Sequence, residues 1–249
     1  MIVAYKEPTC IVPKITDEEQ KRYNEIMDEK KNRVLVDEFN REITTGLSKC
    51  LGKGNWLNDE VMNYYKAMIN QRNNNKHIYC FNSFFWVKLT NNGVNKVERW
   101  SIRAKIKLME LKQLYFIVHV GENHWTLMCI NVAQKKFQYY DSFNHKGIAN
   151  PIQDRERRTI LRDYVTYVAK NQCDYPDDYK CDWELHNERC PEQTDGCSCG
   201  VFALRNMDLL SAGCPLKYKT KKKDMDDFRV RIFTDILNKR LITQYFVSF

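Results

Sequence analysis

The run Gln193-Thr194-Asp195-Gly196-Cys197-Ser198-Cys199-Gly200-Val201 constrains this chain more than any other. It puts a thiol, Cys199, at the start of an apolar helical pattern that carries Val201, Phe202, Met207 and Leu210. Upstream, His124-Trp125 opens one strand-like run and Tyr139-Tyr140-Asp141-Ser142 closes the next. A neutral thiol is a poor nucleophile, so Cys199 must become a thiolate, and a helix N-terminus directly after it and an imidazolium beside it are two features that can do this. The candidate parts occur in the chain order His, Asp, Gln, Cys.

Each part also has a plainer reading. Cys199 alone reads as a buried, inert cysteine. Gly196 and Gly200 argue otherwise, because glycines flanking a thiol let a substrate backbone approach closely. Among the five histidines, only His124 sits between a turn and a strand start with tryptophan following, where it can take a thiol proton and return it to a leaving amine. Asp141 ends the next strand. A tight hairpin brings it level with His124, where a carboxylate holds the ring tautomer, although a strand-end turn residue looks the same. The Gln193 amide can donate to a developing oxyanion beside the Cys199 backbone N–H. No single residue here is specific, but the combination describes a thiol hydrolase.

The remaining pattern is α+β. Thr16 to Arg33 reads as a charged helix with a capping box between Thr16 and Glu19. Asn58 caps a second helix with Val61, Met62, Tyr65, Met68 and Ile69 on one face. Leu114 to Val120, Trp125 to Val132 and Phe137 to Tyr140 read as strands, the first two separated by a Gly121-Glu122-Asn123 turn. A third helix spans Gln153 to Asn171, with Ile160, Leu161, Tyr164, Val165 and Val168 inward. Met225, Phe228, Ile232, Ile236 and Leu237 mark a last helix, and Gln172 to Thr194 is the longest loop candidate. The 249 residues, 43% hydrophobic, suffice for a real core. No signal peptide or membrane-spanning run is read, so a soluble intracellular protein is expected. The ten cysteines lack regular spacing, and Cys173, Cys181, Cys190, Cys197 and Cys199 with His186 do not form a zinc knuckle; reduced thiols are expected, with no metal and no cofactor. A net charge of +8 permits but does not argue for nucleic acid, and Lys217, Lys219 and Lys221 to Lys223 read as a solvated loop before a localisation site.

Four blocks resemble the Ulp/SENP family of SUMO-specific cysteine proteases. They are Trp56-Leu57-Asn58-Asp59-Glu60-Val61; Phe81-Asn82-Ser83-Phe84-Phe85-Trp86-Val87-Lys88-Leu89 with Val97-Glu98-Arg99-Trp100; the His124 and Asp141 blocks; and Gln193 to Val201. The similarity runs from about Val34 to Leu241 in the family's order. It implies a papain-like α+β fold with a central mixed or antiparallel sheet flanked by helices and a permuted triad: Cys199 nucleophile, His124 base, Asp141 orienter, Gln193 oxyanion donor. It further implies that Trp56 and Trp125 clamp a substrate's C-terminal Gly-Gly, since glycines alone are thin enough to thread between indoles. Asp59 is expected to pair with a basic residue of the partner, and Phe81, Asn82 and Phe84 to help form the docking surface. Two positions depart from the family pattern: Asp195 stands for the usual asparagine and Ser198 for the usual aspartate.

The resemblance implies maturation of SUMO precursors and release of SUMO from target lysines, by a monomer with a nuclear, nuclear-envelope or cytoplasmic location. Residues 1–33 are then a short extension with a charged helix and 34–249 the catalytic domain, taken from a longer protein. The alternatives are the same chemistry on another modifier such as NEDD8, and an impaired SUMO-binding module if Ser198 misaligns the loop. Acetyl transfer by bacterial effectors uses a similar residue order, but Trp56 and Asp141 argue against it.

Overall fold

Cysteine and histidine candidates lie on different parts of the chain, and the computed structural model resolves these into two compact units. It describes residues 9–11, 13–74, 77–121, 123–143, 150–241 and 244–246. One unit comprises residues 1–72 with 191–249, the other residues 73–190. The elements, in chain order, are β1 (Thr9–Ile11), α1 (Asp17–Asp28), β2 (Val34–Glu38), β3 (Arg41–Thr44), α2 (Thr45–Ser48), α3 (Asp59–Arg72), β4 (Ile78–Phe81), α4 (Phe84–Asn92) and α5 (Glu98–Ala104). There follow β5 (Gln113–Val120), β6 (His124–Asn131), β7 (Lys136–Tyr140), α6 (Pro151–Gln172), β8 (Glu184–Asn187), α7 (Cys199–Ser211), α8 (Lys222–Leu237) and β9 (Gln244–Phe246).

In the first unit α1 begins with the expected capping box: Glu19 N–H donates to Thr16 Oγ1 and Thr16 N–H to Glu19 Oε2. It stops at Asp28, short of the Arg33 expected from sequence. The Lys49 ammonium takes the carbonyls of Ile26, Met27 and Glu29, ending the helix with a cation where its dipole favours one. Tyr23 is buried, donating to Leu51 O at 2.9 Å and packing edge-on against Phe233 of α8 at 5.5 Å. Arg231 of α8 pairs with Glu19 at 3.0 Å and donates to the Pro13 and Lys14 carbonyls. α3 follows its sequence pattern: Asn58 accepts the Val61 N–H at 2.9 Å, and Val61, Met62, Tyr65, Met68 and Ile69 are buried. β2 and β3 form a hairpin whose two-residue turn is Phe39-Asn40, with φ of 57° and 55°. β1 pairs antiparallel with β9.

α7 is the centre of this unit. Every residue from Cys199 to Leu209 is buried, while Leu210 is half-buried. Such a helix is apolar nearly all round, and its polar residues need partners. Asp208 receives Arg72 and Arg205, and Asn206 accepts from the Tyr218 hydroxyl at 2.7 Å.

The second unit is a mixed five-stranded sheet in the order β4-β5-β6-β7-β8. β4 runs parallel to β5 and β8 parallel to β7; the central pairs are antiparallel. One face presents Leu114, Phe116, Val118, Met128, Ile130, Phe137 and Tyr139 to a core completed by Phe85 and Trp86 of α4 and Leu161, Tyr164, Val165 and Val168 of α6. Ile160 of the predicted α6 face is only partly buried, at the margin of this core. The 172–194 stretch expected as a loop contains the edge strand β8, held to β7 by backbone hydrogen bonds with no apolar alternation to announce it. Of the predicted turn after β5, Glu122 lies outside the described residues. The α+β architecture with a mixed sheet flanked by helices is as expected from the sequence.

Candidate functional site

The candidate residues form two groups, one on each unit. On the second unit, β6 begins at His124 and β7 ends at Tyr140, one residue before Asp141. Leu127 pairs with Tyr140, so the same register sets Asp141 opposite Thr126. Asp141 is therefore not level with His124 but diagonal to it on one face of the hairpin, within reach of an imidazole and a carboxylate. His124 Nε2 lies 2.7 Å from Asp141 Oδ1, with both side chains largely buried. An ionised carboxylate only accepts, so the shared proton belongs to Nε2. Oδ1 also accepts the Phe143 N–H at 2.9 Å. Burial pushes the Asp141 carboxyl up, but the His124 hydrogen bond and charge, the Phe143 N–H and Arg157 outweigh it and hold it below its ordinary value.

Two aromatic side chains neighbour His124, one against its ring and one on the other face of β6. Phe143, half exposed, packs at 4.9 Å from the His124 ring. Trp125 points to the opposite face of β6, is 5% exposed, and stacks on His119 at 4.1 Å.

On the first unit, Cys199 is the first residue of α7 and is buried. Helix geometry leaves its backbone N–H without an intrahelical acceptor, directed out of the positive end of the helix. The preceding loop is organised by Asp195. Its Oδ1 accepts the N–H groups of Cys197 at 2.9 Å and Ser198 at 2.8 Å, and its Oδ2 accepts the Ser198 hydroxyl at 2.8 Å. Burial pushes this carboxyl up, and those donors overcome it, leaving it below the usual value. The Cys197 thiol moves up, through burial and then the Asp195 charge. Gln193 is 1% exposed, and its Nε2 donates to Asp195 O at 2.7 Å and to Asp195 Oδ1 at 3.2 Å.

Trp56 is 52% exposed, with its indole N–H donating to Gly196 O at 2.8 Å. Its ring is thus fixed to the cysteine loop while its face stays open. Arg229 of α8, which the sequence reading passed over, holds the same loop from behind. It is 1% exposed and donates to Cys197 O at 3.1 Å, Cys50 O at 3.2 Å and Gly52 O at 3.4 Å. Nothing in a helical Phe-Arg-Val-Arg pattern announces it; only a charged residue at an inward position could have. Phe143 was missed as well, since a lone aromatic after a strand carries no signal.

The remaining candidates divide. Asp59 opens α3 in its acidic first turn. Phe84 is 47% exposed on α4, and Asn82 accepts its N–H at 3.1 Å. Phe81, expected on the docking surface, is corrected: its side chain is 3% exposed and stacks on Phe85 at 4.2 Å, so it belongs to the core. Nine cysteines among the described residues are free thiols, and no described group of three or more His, Cys, Asp or Glu is arranged to hold a metal. No described helix is long and apolar enough to cross a membrane.

Residues 55–241 match the family described as Ulp1 protease family, C-terminal catalytic domain. The putative ubiquitin-like-specific protease 1B of Arabidopsis thaliana is 32% identical over 226 residues, covering 85% of this chain and 63% of that protein. Ubiquitin-like-specific protease 1 of Saccharomyces cerevisiae is 27% identical over 223 residues, covering 90% of this chain and 34% of its own. The chain thus spans between about a third and just under two thirds of these relatives' lengths. The X-ray structure of the C-terminal Ulp1 protease domain in complex with Smt3, the yeast ortholog of SUMO, is similar with a TM-score of 0.81 and 26% identity, over 92% of this chain and 98% of that one.

Proposed function

The chain belongs to the Ulp1 protease family, and from that premise we propose that it is a thiol endopeptidase and isopeptidase that cleaves after the C-terminal Gly-Gly of SUMO. The observation that carries this reading is the 2.7 Å His124–Asp141 bond on a chain whose Cys199 thiol opens a helix. Because Nε2 is committed to Asp141, His124 receives the Cys199 proton at Nδ1. The thiolate sulfur attacks the terminal glycine carbonyl, and the oxyanion is held by the Cys199 N–H and the Gln193 amide. For Gln193 to do so, the longer of its two bonds to Asp195, at 3.2 Å, is the one exchanged for the oxyanion. The C–N bond then breaks, the leaving amine takes the proton from the imidazolium, and a thioester remains. Water, deprotonated by Nδ1, opens the thioester and regenerates the thiol.

Trp56 and Trp125 clamp the Gly-Gly in this proposal, and Asp59, Asn82 and Phe84 meet the modifier. The partners are SUMO and its conjugates, the enzyme acts as a monomer, and neither a metal nor a cofactor takes part. Residues 34–249 form the catalytic domain, preceded by 1–33, whose α1 packs on α8. The location is nuclear, nuclear-envelope or cytoplasmic; the exposed Lys217, Lys219 and Lys221–Lys223 support nuclear targeting.

The test is cleavage of SUMO, NEDD8 and ubiquitin, each as a C-terminal extension and as a lysine isopeptide, with products identified by mass. Cut SUMO ending in Gly-Gly is the expected product. Cleavage of NEDD8 alone would keep the chemistry and replace the substrate, and cleavage of none would contradict the proposal.

A further inference from the structure

The two positions where this chain departs from the family pattern are bonded to each other. The Ser198 hydroxyl donates to Asp195 Oδ2 at 2.8 Å, while Asp195 Oδ1 takes the N–H groups of Cys197 and Ser198. Ser198 is the N-cap residue of α7 yet makes no side-chain cap bond, because its hydroxyl is turned to Asp195. The helix start is therefore gripped from residue 195, through the backbone immediately before Cys199. The same residue receives the Gln193 amide on its carbonyl and carboxylate oxygens. One side chain thus touches the segment that sets the thiol and the side chain read as the oxyanion donor.

We propose that Asp195 is a positioning residue for Cys199 and that residues 195 and 198 act as one coupled pair carrying a single carboxylate between them. The proposal rests on the reading of Cys199 as the nucleophile. Its chemistry allows two arrangements. With Asp195 and Ser198, the carboxylate accepts both backbone N–H groups and the hydroxyl. With asparagine at 195 and aspartate at 198, the amide oxygen accepts the backbone groups and the amide N–H donates to the carboxylate. Either arrangement leaves one negative charge in the loop. Aspartate at both positions puts two carboxylates in hydrogen-bond contact, where they cannot both ionise at ordinary cost. Other charged and titratable groups at the loop, among the described residues, include the Cys197 thiol, 3.5 Å from Asp195 Oδ1, and Arg229 of α8, already committed to the Cys50, Gly52 and Cys197 carbonyls.

The experiment compares Ser198→Asp, Asp195→Asn, the double variant and Ser198→Ala in the full chain, with thermal unfolding recorded for each. The reading is the rate of Cys199 alkylation by iodoacetamide, resolved by peptide mass spectrometry and expressed relative to wild type at each pH from about 5.5 to about 8. This needs no ubiquitin-like substrate, so an error in the SUMO reading leaves it intact. Ser198→Asp is expected to react about tenfold more slowly than wild type at about pH 8, the gap closing toward acid as one carboxylate protonates. Asp195→Asn alone is slower by about threefold, and adding it to Ser198→Asp returns the rate to within about threefold of wild type. Ser198→Ala loses the hydroxyl bond and shows no gap that varies with pH. A Ser198→Asp protein that folds and matches wild type at every pH would overturn the proposal. So would a folded double variant no faster than Ser198→Asp.

Discussion

The histidine and cysteine groups are held by different means. His124 opens one strand of a hairpin and Asp141 directly follows the other, and the hairpin's backbone ladder continues into β5 on one side and β8 on the other. Their diagonal relation follows from strand register, and the sheet beneath is buried over most of its length. Cys199 and Gln193 instead depend on a loop from 193 to 198 that belongs to no ladder. That loop is fixed by side chains reaching into backbone: Asp195 and Gln193 from within, Arg229 from α8 and Trp56 from the segment before α3. A register-defined pair is robust to single changes beneath it, because many ladder bonds share the constraint. A loop fixed by a few side chains loses a large share of its anchors with one substitution.

The largest expected effect breaks the histidine group chemically without breaking its scaffold. Asp141→Asn keeps the shape but no longer favours the proton on Nε2, and activity on a SUMO substrate should fall by about 10²–10⁴ while the fold persists. Steady-state kinetics with circular dichroism checks this; an unfolded variant would mean that the pair is itself structural. The same residue gives a stability prediction with a definite sign. Its folded carboxyl is held below the ordinary value. Its stabilisation is therefore complete above the unfolded carboxylate pKa of about 4 and lost as pH falls through the lower folded value. Denaturant unfolding of wild type and Asp141→Asn should converge only in that acid window.

Next comes the anchor of the cysteine loop. Arg229→Met removes the guanidinium donor from the Cys50 and Cys197 carbonyls, while Gly52 O keeps the Asn55 N–H, and destabilisation of about 2–4 kcal/mol is expected. It should slow Cys199 alkylation yet leave the His124–Asp141 proton resonance in NMR unchanged. Equal disturbance of both would erase the contrast between the two groups. The smallest effect is dynamic. Hydrogen exchange should protect the amides of β5, β6 and β7 close to the global unfolding limit, and those of Cys197 and Ser198 less. Equal protection would mean that the loop is as firmly built as the sheet.

The same distinction governs what the sequence reveals. Long helices with caps and buried strands announced themselves, as at Thr16, Asn58 and the Leu114 to Tyr140 run. The β2–β3 hairpin did not, because its turn uses Phe39 and Asn40 at positive φ instead of an Asn-Gly pair. Phe39 is held in that conformation by packing on Tyr64 at 5.3 Å, a tertiary contact invisible in the local pattern. β8 was unreadable for a related reason: an edge strand stabilised by its neighbour's backbone needs no apolar alternation of its own. Phe81 misled because aromatic residues in a motif read alike whether they face a partner or a core. At the site, residue types and chain order identified His124, Asp141, Gln193 and Cys199 as candidates. The sequence could not reveal that Asp195 and Ser198 satisfy one another, since two departures from a pattern look like two separate losses until their atoms are seen in contact.

The most direct test of the central claim is covalent trapping. SUMO, NEDD8 and ubiquitin, each carrying a thiol-reactive electrophile in place of the terminal carboxylate, are mixed with wild type, Cys199→Ala and Cys197→Ala, and adducts are read by mass. The account predicts a SUMO adduct in wild type and Cys197→Ala that disappears in Cys199→Ala. An adduct that survives Cys199→Ala, or folded wild-type protein that forms none with any of the three modifiers, would contradict it.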